Sequence, residues 1–217
     1  VDEIRLETPG GGVSASVHGS GDRVVVLGHG AGGTRRHPGL VGLAETLAAS
    51  GRRALLFNFP YAEAGRRRPD PPGVLEGTVR AAAEHARGRL GARRLVLGGR
   101  SMGGRIASQA VAGGLAADGL LFLAYPLHPP GRPQELRDRH LGAVTAPMLF
   151  VQGTRDDFAR PDLLEAVLSR LGERAVLYRV EEADHSFRVR ARSGRTPEEV
   201  REEVDRAVLG WLDARGL

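Results

Sequence analysis

Arg94-Leu95-Val96-Leu97-Gly98-Gly99-Arg100-Ser101-Met102-Gly103-Gly104-Arg105 is the stretch that decides the fold. Its first four residues end an apolar run of the kind that fills a central strand. From Met102 to Leu115 the apolar residues fall at helical spacing, with Met102, Ile106, Ala110 and Val111 on one face. Between the two lies Gly99-x-Ser101-x-Gly103. This pattern reads as a sharp strand-to-helix turn that lifts Ser101 into solvent, with glycine where a side chain would collide with the adjoining strand and helix.

Outward from this centre, strands and helices alternate. Before it, Val13–Val17 reads as an edge strand, and Arg23–Leu27 is a β-branched run suited to burial on both faces. A helix is predicted over Pro38–Ala49, with Leu40, Leu43 and Leu47 inward and Gly51 as its stop. A strand follows over Ala54–Phe59, then a long polar loop over Tyr61–Pro72 and a helix over Val74–Leu90. After the centre come strands at Leu120–Ala124, Met148–Val151 and Ala175–Val180. Helices are expected over Pro161–Leu171 and from the Thr196/Glu199 capping box onward, with Val200, Val204, Val208, Trp211 and Leu212 as the last helix's buried stripe. The alternation implies an α/β fold in one domain, residues 1–217: a doubly wound, mostly parallel sheet of about seven or eight strands with helices on both faces.

Composition narrows the function. Cysteine is absent, so neither a disulfide framework nor a thiolate metal site exists. The net charge of +5 rests entirely on arginine, with no lysine among 31 basic residues. The arginines are scattered among acids and accompany no nucleic-acid module, so they read as a coding bias of a GC-rich bacterial genome, not as a nucleic-acid-binding face. No apolar run reaches membrane length and no leader pattern opens the chain, so a cytoplasmic location is expected.

Functional groups of such a sheet gather at the carboxyl ends of its strands. The run at Arg23–Leu27 delivers His29-Gly30-Ala31-Gly32-Gly33, the central strand Ser101, the strand at Met148 the segment Gly153-Thr154-Arg155-Asp156-Asp157, and the last strand Asp184-His185. A nucleophile, an acid and a histidine thus follow strands in the order Ser, Asp, His.

On these pieces, together with Asn58-Phe59-Pro60-Tyr61 and Tyr125-Pro126-Leu127-His128-Pro129-Pro130-Gly131, the chain resembles an α/β-hydrolase of the compact, dienelactone-hydrolase-like branch. It is similar in particular to bacterial hydrolases related to a subunit of an animal NSL chromatin complex. The resemblance implies a serine hydrolase with Ser101 as nucleophile, His185 as base and Asp156 as the acid, Asp157 standing as the immediate alternative. It implies an oxyanion hole from the N–H groups of Ala31 and Met102, and places Gly32, His37, Tyr61, Arg66 and His128 around the substrate. His29 is expected to brace the oxyanion loop; His18, His85 and His140 read as surface or structural residues. The span between Ala124 and Met148 leaves no room for a large lid, which implies small or medium esters, thioesters or lactones as substrates. The partner would be a small acyl compound, with no nucleic acid, no membrane and no cofactor or metal, as a monomer or homodimer. A non-catalytic interaction module on the same fold, or a peptidase or perhydrolase using the same three residues, are the alternatives.

Overall fold

The computed structural model describes all 217 residues. Eight strands form one sheet: β1 (Asp2–Leu6), β2 (Val13–His18), β3 (Arg23–Gly28), β4 (Arg53–Phe57), β5 (Arg94–Arg100), β6 (Gly119–Leu123), β7 (Met148–Gly153) and β8 (Ala175–Val180). Their order across the sheet is β1-β2-β4-β3-β5-β6-β7-β8. β2 pairs antiparallel with both of its neighbours, β1 and β4, and every other neighbouring pair is parallel. Parallel strands need crossovers, supplied by α-helices at every step but β6 to β7, and the helices cover both faces, which is why β3 to β7 are almost continuously apolar.

The helices are α1 (Pro38–Ala49), α2 (Pro60–Glu63), α3 (Pro72–Gly88), α4 (Met102–Ala112), α5 (Pro161–Leu171) and α6 (Pro197–Asp213). They divide the core in two. On one face α1 and α6 bring Leu40, Leu43, Leu47, Val200, Val208 and Trp211 against Leu27, Leu56 and Leu121. On the other, α3, α4 and α5 bring Leu75, Val79, Ile106, Leu164 and Val167 against Leu97, Phe122 and Phe150. Each side chain so buried is worth about 1.5–3 kcal/mol relative to leaving it in water, before entropy is charged. The capping box at the start of α6 forms as its sequence dictates: Thr196 accepts from the Glu199 N–H, and Glu199 accepts from the Thr196 N–H.

Three readings of the sequence need correction. Val13–His18 is not an edge strand, because β1 pairs outside it. That strand escapes a search for apolar runs since an edge needs none: Asp2, Glu3 and Arg5 face water and blunt it against further pairing. The loop after β4 is not wholly irregular, since α2 interrupts it and buries Tyr61 completely. Finally, α4 ends at Ala112, short of Leu115, with Gly113 as its cap.

Between β6 and β7 the only regular element is a single 3₁₀ turn at Arg139–Ala143, so no large lid covers the carboxyl ends. No helix is long and apolar enough to cross a membrane.

Candidate active site

Ser101 occupies the turn between β5 and α4 with φ 50° and ψ −115°. A residue with a Cβ pays about 1–3 kcal/mol for such a conformation, so the surroundings must hold it there. They do so from both sides. The Ser101 N–H donates to the Leu123 carbonyl of β6 at 2.9 Å, and its own carbonyl accepts from the Arg105 N–H at 3.2 Å. The flanking glycines are pressed against β3: a Cβ on Gly99 would lie 2.1 Å from the Gly28 carbonyl oxygen, and one on Gly103 2.2 Å from the same atom. Both glycines are therefore required by the close approach of strand and helix, as the motif implies.

The loop after β8 lays His185 over this serine. Nε2 lies 2.8 Å from Ser101 Oγ, and Nδ1 lies 2.7 Å from Asp156 Oδ2. An ionised carboxylate only accepts, so Nδ1 carries the ring proton and Nε2 is left as the acceptor of the serine O–H. Asp156 is buried, whereas Asp157 is exposed on the other side of the same turn. Asp156 is pinned by two further donors, the Phe158 N–H on Oδ1 at 2.8 Å and Gln152 Nε2 on Oδ2 at 2.5 Å. Asp184 serves the loop instead, its Oδ1 accepting from the Ser186 and Arg188 N–H groups at 2.8 and 3.0 Å.

The loop after β3 closes the other side of Ser101. Buried His29 accepts the Phe59 N–H on Nε2 at 3.1 Å, which leaves Nδ1 to donate to the Gly30 carbonyl at 2.8 Å. Burial pulls its pKa down to about 4, so the ring stays neutral and keeps both bonds. Tyr61 lies beneath the loop, away from the cleft, its hydroxyl oxygen accepting the Gly32 N–H at 3.2 Å. The N–H groups of Ala31 and Met102 have no acceptor within the protein: one sits in the loop and the other at the first turn of α4, where helical N–H groups lack partners.

The remaining residues expected around the substrate scatter. His37 stands beside the loop and caps α1 through Nδ1, which accepts the Gly39 N–H at 3.2 Å. Arg66 turns to Asp70 at 2.7 Å. His128 is buried, its ring spanning the Pro129 carbonyl and the Arg160 N–H at 2.9 and 3.0 Å. Its bonds hold the loop after β6 to the loop after β7. Tyr61 and His128 thus have their polar atoms committed to the scaffold.

Three neighbours were missed from sequence. The Phe158 ring stacks on His185 with centroids 4.1 Å apart, Gln152 orients Asp156, and Arg100 Nη2 donates to the His185 carbonyl and to Ser186 Oγ at 3.1 and 3.0 Å. Only Gln152 left a sign, as a polar residue inside the otherwise apolar strand β7. A second serine–histidine contact, Ser108 Oγ to His140 Nε2 at 2.7 Å, lies on the α4 face away from the cleft. No cluster of His, Asp and Glu side chains is arranged to hold a metal ion.

A hydroxyl hydrogen-bonded to an acid-oriented imidazole is equipped to attack a carbonyl carbon. The comparisons with known proteins agree with the fold. A family model described as an alpha/beta hydrolase domain matches residues 21–213. Similar solved structures include a dienelactone hydrolase from Anabaena variabilis, 19% identical over 98% of this chain and 97% of that one with a TM-score of 0.78. They include a serine hydrolase without a lid from Xanthomonas campestris, 22% identical over 97% and 94% with a TM-score of 0.73. A third is Est1E from Butyrivibrio proteoclasticus with ferulic acid bound, 15% identical over 95% and 98% with a TM-score of 0.76.

Proposed function

The chain belongs to the alpha/beta hydrolase family, and from that premise we propose that it cleaves small or medium carboxylic esters, thioesters or lactones through an acyl-Ser101 intermediate. In this reading His185 takes the Ser101 proton as Oγ forms its bond to the carbonyl carbon. The carbonyl oxygen becomes an oxyanion held by the Ala31 and Met102 N–H groups. His185 then returns the proton to the leaving oxygen or sulfur as that bond breaks, and water repeats the sequence in reverse. Asp156 fixes the imidazole tautomer and stabilises the imidazolium without taking its proton.

The observation that carries the reading is the unbroken line of hydrogen bonds from Ser101 through His185 to Asp156, at 2.8 and 2.7 Å. A site without a large lid favours compact soluble substrates, and the chemistry needs no cofactor. The reading is tested by screening wild type and Ser101→Ala against chromogenic esters, thioesters and lactones. Turnover of at least one class by wild type and none by the variant is expected; equal activity of the two would overturn it.

A further inference from the structure

On the face of the sheet covered by α1 and α6 lies a second cavity, of about 490 Å³. None of Ser101, His185, Ala31 and Met102 lines it. Its floor is apolar, made by Leu40, Leu123, Val200 and Val204. Its rim carries four arginines against one carboxylate.

That carboxylate, Asp205, is already satisfied: it accepts from the Thr46 hydroxyl at 2.8 Å and from Arg201 at 3.2 Å. Arg195 is paired with Glu203, and Arg201 also with Glu198. Neither Arg100 nor Arg188 forms a salt bridge, although Asp156 and Asp184 lie near enough to Arg100 to favour its charge. Arg188 makes no side-chain hydrogen bond, and Arg100 commits only Nη2, to the His185 carbonyl and Ser186 Oγ, so its Nε and Nη1 have no acceptor. Burial holds the Arg100 guanidinium below its ordinary range and the charge of Arg188 adds to this, while Asp156 and Asp184 act the other way.

We propose that this cavity binds a medium-chain amphiphilic carboxylate, its headgroup on Arg100 and Arg188 and its tail along Leu40, Val200 and Val204. The volume is in the range of small-ligand sites, the apolar floor supplies tail burial, and the free edge of a guanidinium matches a carboxylate in paired hydrogen bonds. Arg100 lines this cavity and is also the neighbour of the nucleophile. It precedes Ser101 in the chain, and its Nη1 lies 3.1 Å from where a Cβ of Gly30 would stand. Ser101 and His185 are not among the residues that line the cavity, so the proposed binding does not depend on ester cleavage.

The test is calorimetric titration of the full chain with octanoate, octanol and acetate. Saturable octanoate binding is expected, with octanol and acetate each at least about tenfold weaker, because each lacks one half of the recognition. Ser101→Ala should bind octanoate as wild type does, and Val204→Trp, which fills the floor, should abolish binding. If Val204→Trp does not fold, the exposed substitution Arg188→Glu decides, with an expected loss of about tenfold. Absent octanoate binding, equal affinity for octanol, binding lost in Ser101→Ala, or binding unchanged in the folded floor or rim variant would each overturn the proposal.

Discussion

Ser101–His185 and Ser108–His140 are two serine–histidine hydrogen bonds of nearly equal length, 2.8 and 2.7 Å, seven residues apart on one turn and helix. Their surroundings differ in every respect that matters for chemistry. Ser101 is held at φ 50° beyond the end of β5, and its histidine is oriented by a buried carboxylate. Ser108 lies within regular helix α4, fully buried, and its hydroxyl lies 2.7 Å from the Arg105 carbonyl. A carbonyl only accepts, so that hydroxyl donates there and receives the His140 Nε2–H. No carboxylate hydrogen-bonds its histidine, and burial with the nearby Arg105, against a weaker opposing effect of Asp138, pulls the His140 pKa down to about 4. A hydrogen-bonded serine and histidine are therefore insufficient; the carboxylate, the backbone strain and the access make the difference.

Substitutions that exchange the two environments should have the largest effect. Ser101→Ala or His185→Ala is expected to lower kcat/KM by about 10⁴-fold or more, since members of such a unit fail together. Ser108→Ala should leave hydrolysis unchanged in the same assay. Next comes the carboxylate: Asp156→Asn should cost about 10⁴-fold in kcat by stabilising the wrong imidazole tautomer. Exposed Asp157→Asn should cost nothing, and steady-state kinetics of the two variants side by side reads the contrast.

The buried neutral histidines provide a pH test of stability. His29 has its pKa pulled from 6.5 to about 4, so the unfolded chain binds the proton more readily. Its contribution is fully present above pH 6.5 and is lost as pH falls from there toward about 4, by about 3 kcal/mol in all. His140, less enclosed, acts in the same direction. Denaturant melts across this range should show wild type weakening more steeply than His29→Gln. The smallest effect belongs to the helix pair: Ser108→Ala should cost about 1–3 kcal/mol of folding stability, because it strands the His140 N–H. Chemical denaturation reads that value directly.

Much of this contrast was legible before any coordinates. The glycines flanking Ser101 announce a close approach, and the order of Ser, Asp and His after successive strands follows from where a parallel sheet collects its loops. The strand at Asp2–Leu6 was not legible, because a solvated edge needs no apolar pattern. Neither were the roles of Tyr61 and His128. Both residue types suit a cleft as well as a scaffold, and only packing decides which loop their polar atoms hold. Asp156 and Asp157 are chemically identical neighbours, so their division between buried acid and exposed residue depends on the turn after β7. The Ser108–His140 pair, separated by a strand and a loop, had no motif to announce it.

The central claim is that only one of these two serines is a nucleophile, and labelling with a fluorophosphonate probe tests it most directly. Trypsin cuts after Arg105, so the two serines leave in separate peptides for mass spectrometry. The probe is expected on Ser101 of the folded protein, with labelling lost in His185→Ala. A label on Ser108, or no label on folded wild-type protein, would contradict the account.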